Sequence, residues 1–226
     1  MSRLDDGLKP GEFILKLAVL SPHPDPLPKG EGVKTYHHLS MRIIAGKFRG
    51  RRLKSPPSLQ TRPTSDRLRE TLFNIVTPRI ADARLLDLCA GSGAIGIEAL
   101  SRGAGYVTFV DQSRKMCDLI EANLQSLEIE DNTVAVISSA AVDFLKRFSK
   151  QRAEPFDIIF FDPPYATNYE EALEQISEHA GDLLARDGVV IVEHHKKREL
   201  AEEFGSLRRY RVLKQGDSCL SFYERS

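Results

Sequence analysis

The chain has 226 residues, 41% of them hydrophobic and 28% charged, with equal numbers of basic and acidic side chains. That length accommodates one full α/β domain and a small appendage, and that balance excludes collagen-like, wholly disordered and membrane-embedded chains. The apolar runs at 189–192 and 158–161 fall far short of the ~20 residues a membrane span needs. Cys89, Cys117 and Cys219 form no Cys-x-x-Cys pair; an odd, scattered set argues against a disulfide framework or a zinc site and suits a reducing cytoplasm.

The neutral total conceals an asymmetry. Residues 41–80 carry ten Lys/Arg against two acids, a net +8, whereas residues 81–226 carry 17 basic and 25 acidic residues, a net −8. A basic block beside an acidic body suits a polyanionic partner, a solvated charged face being the alternative.

In chain order, residues 1–40 read unlike the rest. Residues 21–32 hold four prolines and two glycines, a composition that sustains neither helix nor strand. Residues 13–20 are apolar but lack the basic flank and cleavage pattern of a signal peptide. Residues 1–40 are therefore expected to be a disordered extension or translated upstream sequence, with a native start at Met41. Residues 41–80 form a basic unit: a β-rich segment, MRIIAGKFRGRRL, then a Pro-rich turn, then a helix starting at Thr64 or Ser65. Leu68, Leu72, Ile75 and Val76 share one face of that helix, and Pro78 stops it.

Residues 81–226 alternate. Short apolar strands are predicted at 84–88, 106–111, 134–137, 156–162 and 188–193. Helices are predicted at 94–101, from Ser113, and at 169–184. Near-continuous apolar strands separated by amphipathic helices imply an α/β fold with a parallel sheet covered on both faces. Residues 207–214 and 218–224, joined at Gly216-Asp217, read as an antiparallel hairpin.

Two motifs carry chemistry. Asp87-Leu-Cys-Ala-Gly91-Ser-Gly93-Ala-Ile-Gly96 ends the first strand and opens a helix. Its glycines spell the dinucleotide pattern G-x-G-x-x-G, which alone is weak. The discriminating residue is Asp87, because a pyrophosphate wants no fixed anion at a helix N-terminus. A cationic amino acid joined through sulfonium to adenosine, S-adenosylmethionine, suits a carboxylate beside bare glycine backbone at Gly91 and Gly93. Asp111, 20 residues beyond Gly91, is placed to accept from two ribose hydroxyls in either ligand class. Gly96 reads as close helix–strand packing.

The second motif is Asp162-Pro163-Pro164-Tyr165 after the apolar strand FDIIFF. Two prolines fix a stiff corner at the carboxyl edge of the sheet, where ligands bind in open α/β folds. The Asp162 carboxylate and the Pro163 carbonyl could hold the two N–H groups of an exocyclic amine and turn its lone pair toward a methyl donor. Tyr165 offers a stacking face for the base.

These residues, with MRIIAGKFRGRRL, RPTSDRLRETLFNIV (62–76), LLDLCAGSGAIGIEALSRGA (85–104) and FVDQS (109–113), make the chain resemble the RsmD-type 16S ribosomal RNA guanine-N2 methyltransferases from Met41 to about Tyr223. The resemblance implies a class I methyltransferase fold: a Rossmann-like, seven-stranded, mostly parallel sheet with an antiparallel C-terminal hairpin and a small basic N-terminal β-element. It implies S-adenosylmethionine as cofactor, guanine 966 of 16S RNA as target, and an assembled small subunit or its assembly intermediate as partner. By the same resemblance Asp87, Gly91 and Gly93 hold the methionine part and Asp111 the ribose. Cys89, Ala90, Gln112, Ala140 and Ala141 join that site, Arg62 and Thr64 line its far side, and Asp162, Pro163, Pro164 and Tyr165 hold the guanine. Ala140 stands where the family usually has an adenine-contacting aspartate, with Asp143 an imperfect substitute.

Arg42, Lys47, Arg49, Arg51, Arg52 and Arg67 are the candidate RNA-binding residues, since phosphate contacts position a nucleic acid while the pocket picks the base. His194-His195 lacks a third ligand nearby and reads as a solvated helix start, so no metal is expected. Glu98 reads as a structural cap or ion-pair partner. The expectation is a cytoplasmic monomer with no membrane association. Open alternatives are an N6-adenine or other amino-group nucleic-acid methyltransferase, an NAD-dependent oxidoreductase sharing the glycine loop, and a non-catalytic RNA-binding assembly factor.

Overall fold

The computed structural model describes residues 41–55, 65–151, 153–164 and 169–226. The expectations placed on residues 1–40, Arg62, Thr64 and Tyr165 lie outside the described residues.

Helix α1 (Asp66–Val76) starts where the sequence says, because the Ser65 side chain accepts from the Leu68 N–H at 3.2 Å. It ends at a 3₁₀ turn carrying Pro78. Strand β1 (Arg84–Leu88), helix α2 (Ala94–Ser101), β2 (Tyr106–Asp111), α3 (Arg114–Ser126) and β3 (Val134–Ser138) follow as the alternation predicts. Helix α4 (Ala141–Phe148) was not expected. It is eight residues long and Ala140 at its N-cap offers no side-chain acceptor, so it lacks both length and start signal.

Strand β4 (Phe156–Phe161) precedes α5 (Tyr169–Glu178) and the single turn α6 (Ala180–Leu183). The one helix expected over 169–184 is thus divided at His179. Strand β5 (Leu184–His195) is longer than the predicted 188–193 at both ends: Leu184 pairs with Phe156 of β4, and β8 pairs as far as His195. Strands β6 (Glu203–Phe204), β7 (Leu207–Gln215) and β8 (Ser218–Arg225) complete the chain. His194 and His195 therefore end a strand rather than start a helix, which corrects that expectation.

Among the described residues eight strands form one sheet in the order β3-β2-β1-β4-β5-β8-β7-β6. The first five are parallel and the last three antiparallel. The two-residue β6 at the edge makes the count eight instead of seven. Alternating strand residues feed two cores. Leu85, Phe109, Phe160 and Ile191 pack on the α1, α2 and α3 side with Leu72, Ile97 and Ile120, whereas Leu86, Val110, Phe161 and Val192 pack on the α4 and α5 side with Phe144 and Leu173. Gly96 has the packing role expected of it: a Cβ there would lie 2.2 Å from the Phe109 ring.

The basic segment is less β-like than its sequence suggests. Among the described residues it holds one isolated bridge, Arg42 to Arg52, supported by N–H bonds from Ile43 to the Arg51 carbonyl and from Leu53 to the Met41 carbonyl. Its position comes from polar docking onto α2 and α3. Glu98, fully buried, accepts from the N–H groups of Ile44 (2.7 Å) and Ala45 (3.0 Å). Ser101 and Asn123 bond the backbone of Ala45, Phe48 and Lys54. Gly46 (φ +82°) passes so close that a Cβ would lie 1.8 Å from the Ser101 carbonyl oxygen, so no side chain fits there.

Candidate active site

Strand register sets the site. Leu88 lies opposite Val110 and Phe161, and Phe161 opposite Val192. The next residues, Asp111, Cys89, Asp162 and Glu193, therefore stand level at the carboxyl edge, in the spatial order β2, β1, β4, β5. By alternation Asp111, Asp162 and Glu193 fall on the side facing α1–α3, as does Asp87 two residues before Cys89. Four carboxyl groups from four neighbouring strands thus share one face of the edge.

The glycine loop crosses this rank. Cys89, Gly91 and Gly93 all have positive φ, at 63°, 54° and 76°. The non-glycine Cys89 in the left-handed region is a strained position, of the kind that clusters at functional sites. A Cβ on Gly91 would meet nothing, so that backbone borders open space. Its N–H donates to Asp111 Oδ2 at 2.9 Å, and Asp111 Oδ1 accepts from the Ser113 N–H at 2.8 Å. Each of these oxygens retains a lone pair for a further donor. Asp87 is buried, and its Oδ2 accepts from the Gly96 N–H at 3.0 Å, so one oxygen braces the first turn of α2 rather than pointing free.

Electrostatics follow from this crowding. Burial, with the Asp111 charge adding to it against the Gly96 hydrogen bond, pushes the Asp87 carboxyl up to about 8. Burial and the charges of Asp111, Asp162 and Asp87 push the Cys89 thiol up to about 12, which keeps it protonated and unreactive. Burial, then Glu193, then Asp87 hold the Asp162 carboxyl well above the usual carboxylate range. The Asp162 N–H donates to the Leu88 carbonyl at 3.3 Å, and Pro163 is buried with its carbonyl accepting from the Tyr169 hydroxyl at 3.3 Å.

The remaining expected residues are placed as follows. Ala90 sits in the loop, its N–H on the Val110 carbonyl. Gln112 is exposed between Asp111 and the start of α3. Ala140 and Ala141 open α4, Ser139 just before them donating its N–H to the Asp111 carbonyl; Asp143 is exposed in the first turn of α4. Arg42, Lys47, Arg49, Arg51, Arg52 and Arg67 are exposed, with Arg42 paired to Asp66 and Arg51 bonded to the Ser126 carbonyl. Sequence reasoning missed Glu193 and Tyr169; the acid closing an apolar strand, as Asp162 closes β4, was the available signal for Glu193.

His194 is buried away from this rank. Its Nδ1 donates to the His195 carbonyl at 3.2 Å, so Nε2 accepts from the Ser221 hydroxyl at 2.9 Å. Burial lowers its pKa. Among the described residues no three His, Cys, Asp or Glu side chains group so as to hold a metal ion, and no helix is long and apolar enough to cross a membrane.

Residues 41–224 match the model of the family described as Conserved hypothetical protein 95. The chain belongs to this family. Two relatives, both named ribosomal RNA small subunit methyltransferase D, show what the family contains. One, from Haemophilus influenzae, is 40% identical over 71% of this chain and 81% of its own length. The other, from Escherichia coli, is 37% identical over 82% of this chain and 90% of its own. The solved structure of the Escherichia coli protein yhhF superimposes with a TM-score of 0.71 at 34% identity, covering 83% of this chain and 98% of that one. Membership of the RsmD-type family and its class I methyltransferase fold, expected from the motifs, is thereby established.

Proposed function

We propose that the chain transfers a methyl group from S-adenosylmethionine to the exocyclic N2 of a guanine in 16S ribosomal RNA, guanine 966 by resemblance, in the small subunit or an assembly intermediate. The observation that carries this reading is the shared face of Asp87, Asp111, Asp162 and Glu193 beside the open backbone of Gly91. A site lined by hydrogen-bond acceptors suits a ligand that offers N–H, O–H and positive charge. It repels the pyrophosphate of a dinucleotide. The names of the relatives supply ribosomal RNA as the substrate class.

The residues present fit the cofactor. Asp111 would accept from its ribose hydroxyls, the Gly91–Gly93 backbone would border its methionine part, and Asp87 beneath the loop would complement its positive charge. When bound, S-adenosylmethionine supplies a methyl group made electrophilic by sulfonium. The protein's share of the chemistry lies at Asp162 and Pro163. Their carboxylate and carbonyl oxygens accept the two amine N–H groups, which turns the nitrogen lone pair out of conjugation and fixes its direction. Tyr165 is proposed as the face on which the base stacks. The exposed cations of the 41–54 segment, fixed to α2 through Glu98 and Ser101 and to α3 through Asn123, track RNA phosphates.

A pH dependence follows. Asp87, pushed up to about 8, is protonated at neutral pH in the free protein, and a bound cation favours its ionised form. Cofactor affinity is therefore expected to rise toward pH 8, by up to about tenfold per pH unit, with proton release on binding. Calorimetry in buffers of different ionisation enthalpy reads both, and a flat affinity with no proton release would remove Asp87 from this role.

The function is tested by labelled-methyl transfer to small ribosomal subunits from a strain lacking the enzyme, with the modified nucleoside identified by mass. N2-methylguanosine is the expected product. Label on adenine, on DNA alone, or on nothing would refute the assignment.

A further inference from the structure

We infer that Glu193 is a positioning residue: its carboxyl shares a proton with that of Asp162 and sets how strongly Asp162 accepts the proton leaving the methylated amine. This rests on the reading of Asp162 given above.

The geometry comes from register. Asp162 and Glu193 follow directly on the paired residues Phe161 and Val192 of neighbouring parallel strands, where strands lie about 4.8 Å apart. Alternation puts both side chains on the same face, continuing Phe160 and Ile191. Glu193 is only 7% exposed. In the spatial order of the rank, the glycine loop and Asp111 lie on one side of Asp162 and Glu193 on the other, away from the proposed cofactor.

The groups around Asp162 come from several elements. Asp87 and Cys89 come from β1 and the loop after it, Asp111 from β2, and Glu193 from β5. From α5, the Tyr169 hydroxyl is engaged with the Pro163 carbonyl. Arg198, beyond β5, places its guanidinium 4.4 Å from the centre of the Tyr169 ring and pairs with Glu170 at 3.6 Å. His194, next to Glu193, faces Ser221 on the opposite side of the sheet. The charges that raise Asp162 are those of Glu193, first, and Asp87.

Two adjacent carboxyl groups in a desolvated edge resist double ionisation and titrate as a unit. The pair then holds one proton under conditions in which a lone solvated carboxyl would hold none. In the step itself an N–H bond of the methylated amine breaks, and its electron pair stays on nitrogen. The proton forms an O–H bond on Asp162, while the proton already shared with Glu193 leaves to solvent. Charge and protons balance without any further reactant. A carboxylate at its ordinary pKa would be a weaker base for this proton.

The test uses the full chain and Glu193→Gln, with Asp162 followed by ¹³C-carboxyl nuclear magnetic resonance across pH and methyl transfer to small subunits followed in single turnovers. In Glu193→Gln, Asp162 should titrate lower by about one pH unit or more. The acid limb of transfer should move to lower pH in step with it, while the plateau rate falls about tenfold. Glu193→Asp, which keeps the charge, should restore both. Superimposable Asp162 titrations in wild type and Glu193→Gln would overturn the inference. A shifted titration in a protein whose wild type transfers no methyl group would leave the pair standing and remove the methyltransferase reading instead. Should Glu193→Gln not fold, the wild type decides: a single Asp162 step in the ordinary carboxylate range contradicts a shared proton.

Discussion

Replacing Asp162 by alanine is expected to slow methyl transfer in a single turnover by about a thousandfold, with cofactor affinity changed by no more than about threefold. The aspartate is held rigidly: its N–H donates to the Leu88 carbonyl, and the prolines behind it fix the chain direction. Alanine keeps that backbone but removes the acceptor that orients the amine and receives its proton. Folding should not suffer, because a half-buried carboxyl crowded by Glu193 and Asp87 is removed rather than a partner of an opposite charge. Asp162→Asn should be intermediate in ground-state RNA binding, since its amide oxygen still accepts, yet close to alanine in rate, since it takes no proton. Rapid-quench measurement with prebound cofactor separates these effects. An alanine variant within a few-fold of the wild-type rate would remove Asp162 from the chemistry.

The second large effect concerns folding. Glu98→Ala is expected to cost about 3–5 kcal/mol in denaturant unfolding, a magnitude typical of removing one partner from a buried ion pair. Glu98 is completely buried on α2 and accepts from Ile44 N–H, Ala45 N–H and Arg102 Nε, the last at 2.7 Å. Its loss leaves two backbone donors and a largely buried guanidinium without their acceptor. Arg69, also buried and held below its ordinary pKa by desolvation, loses the charge that most opposes that shift. The 41–54 segment is docked through these bonds, so RNA affinity and its salt dependence should fall together, while cofactor affinity in the folded fraction stays near wild type. Glu98→Gln, which keeps an acceptor, should cost less. A loss below about 1 kcal/mol for the alanine variant would show that the segment is held by its apolar residues Ile43 and Leu53 instead.

These two residues also show what a sequence reveals and what it withholds. Asp162 was legible because its neighbours are extreme: an apolar strand before it and two prolines after it leave little choice of conformation. The same holds for Ser65 capping α1 and for the strands ending at Leu88 and Asp111, each bounded by a turn signal. The role of Glu98 was half legible. Its i,i+4 partner Arg102 is local, but its other partners are backbone N–H groups more than fifty residues away, which no local pattern marks. Glu193 is visible as a strand-ending acid, yet its proximity to Asp162 depends on the β4–β5 register, and register is a tertiary property. Helix α4 escaped because a short helix without a capping side chain is stabilised by Phe144 and Leu145 packing on the sheet rather than by its own sequence signals. The basic segment reads as β-rich in sequence; in the structure, among the described residues, it holds a single bridge, Arg42 to Arg52, and is docked by polar bonds to α2 and α3.

The most direct measurement is a calorimetric titration of the folded full-length chain with S-adenosylmethionine, its demethylated product and NADH in parallel. Saturable one-to-one uptake of the first two and none of NADH is the predicted result. Heat from NADH alone, or from none of the three even with small subunits present, would contradict the claim that this acidic sheet edge is built around a sulfonium methyl donor.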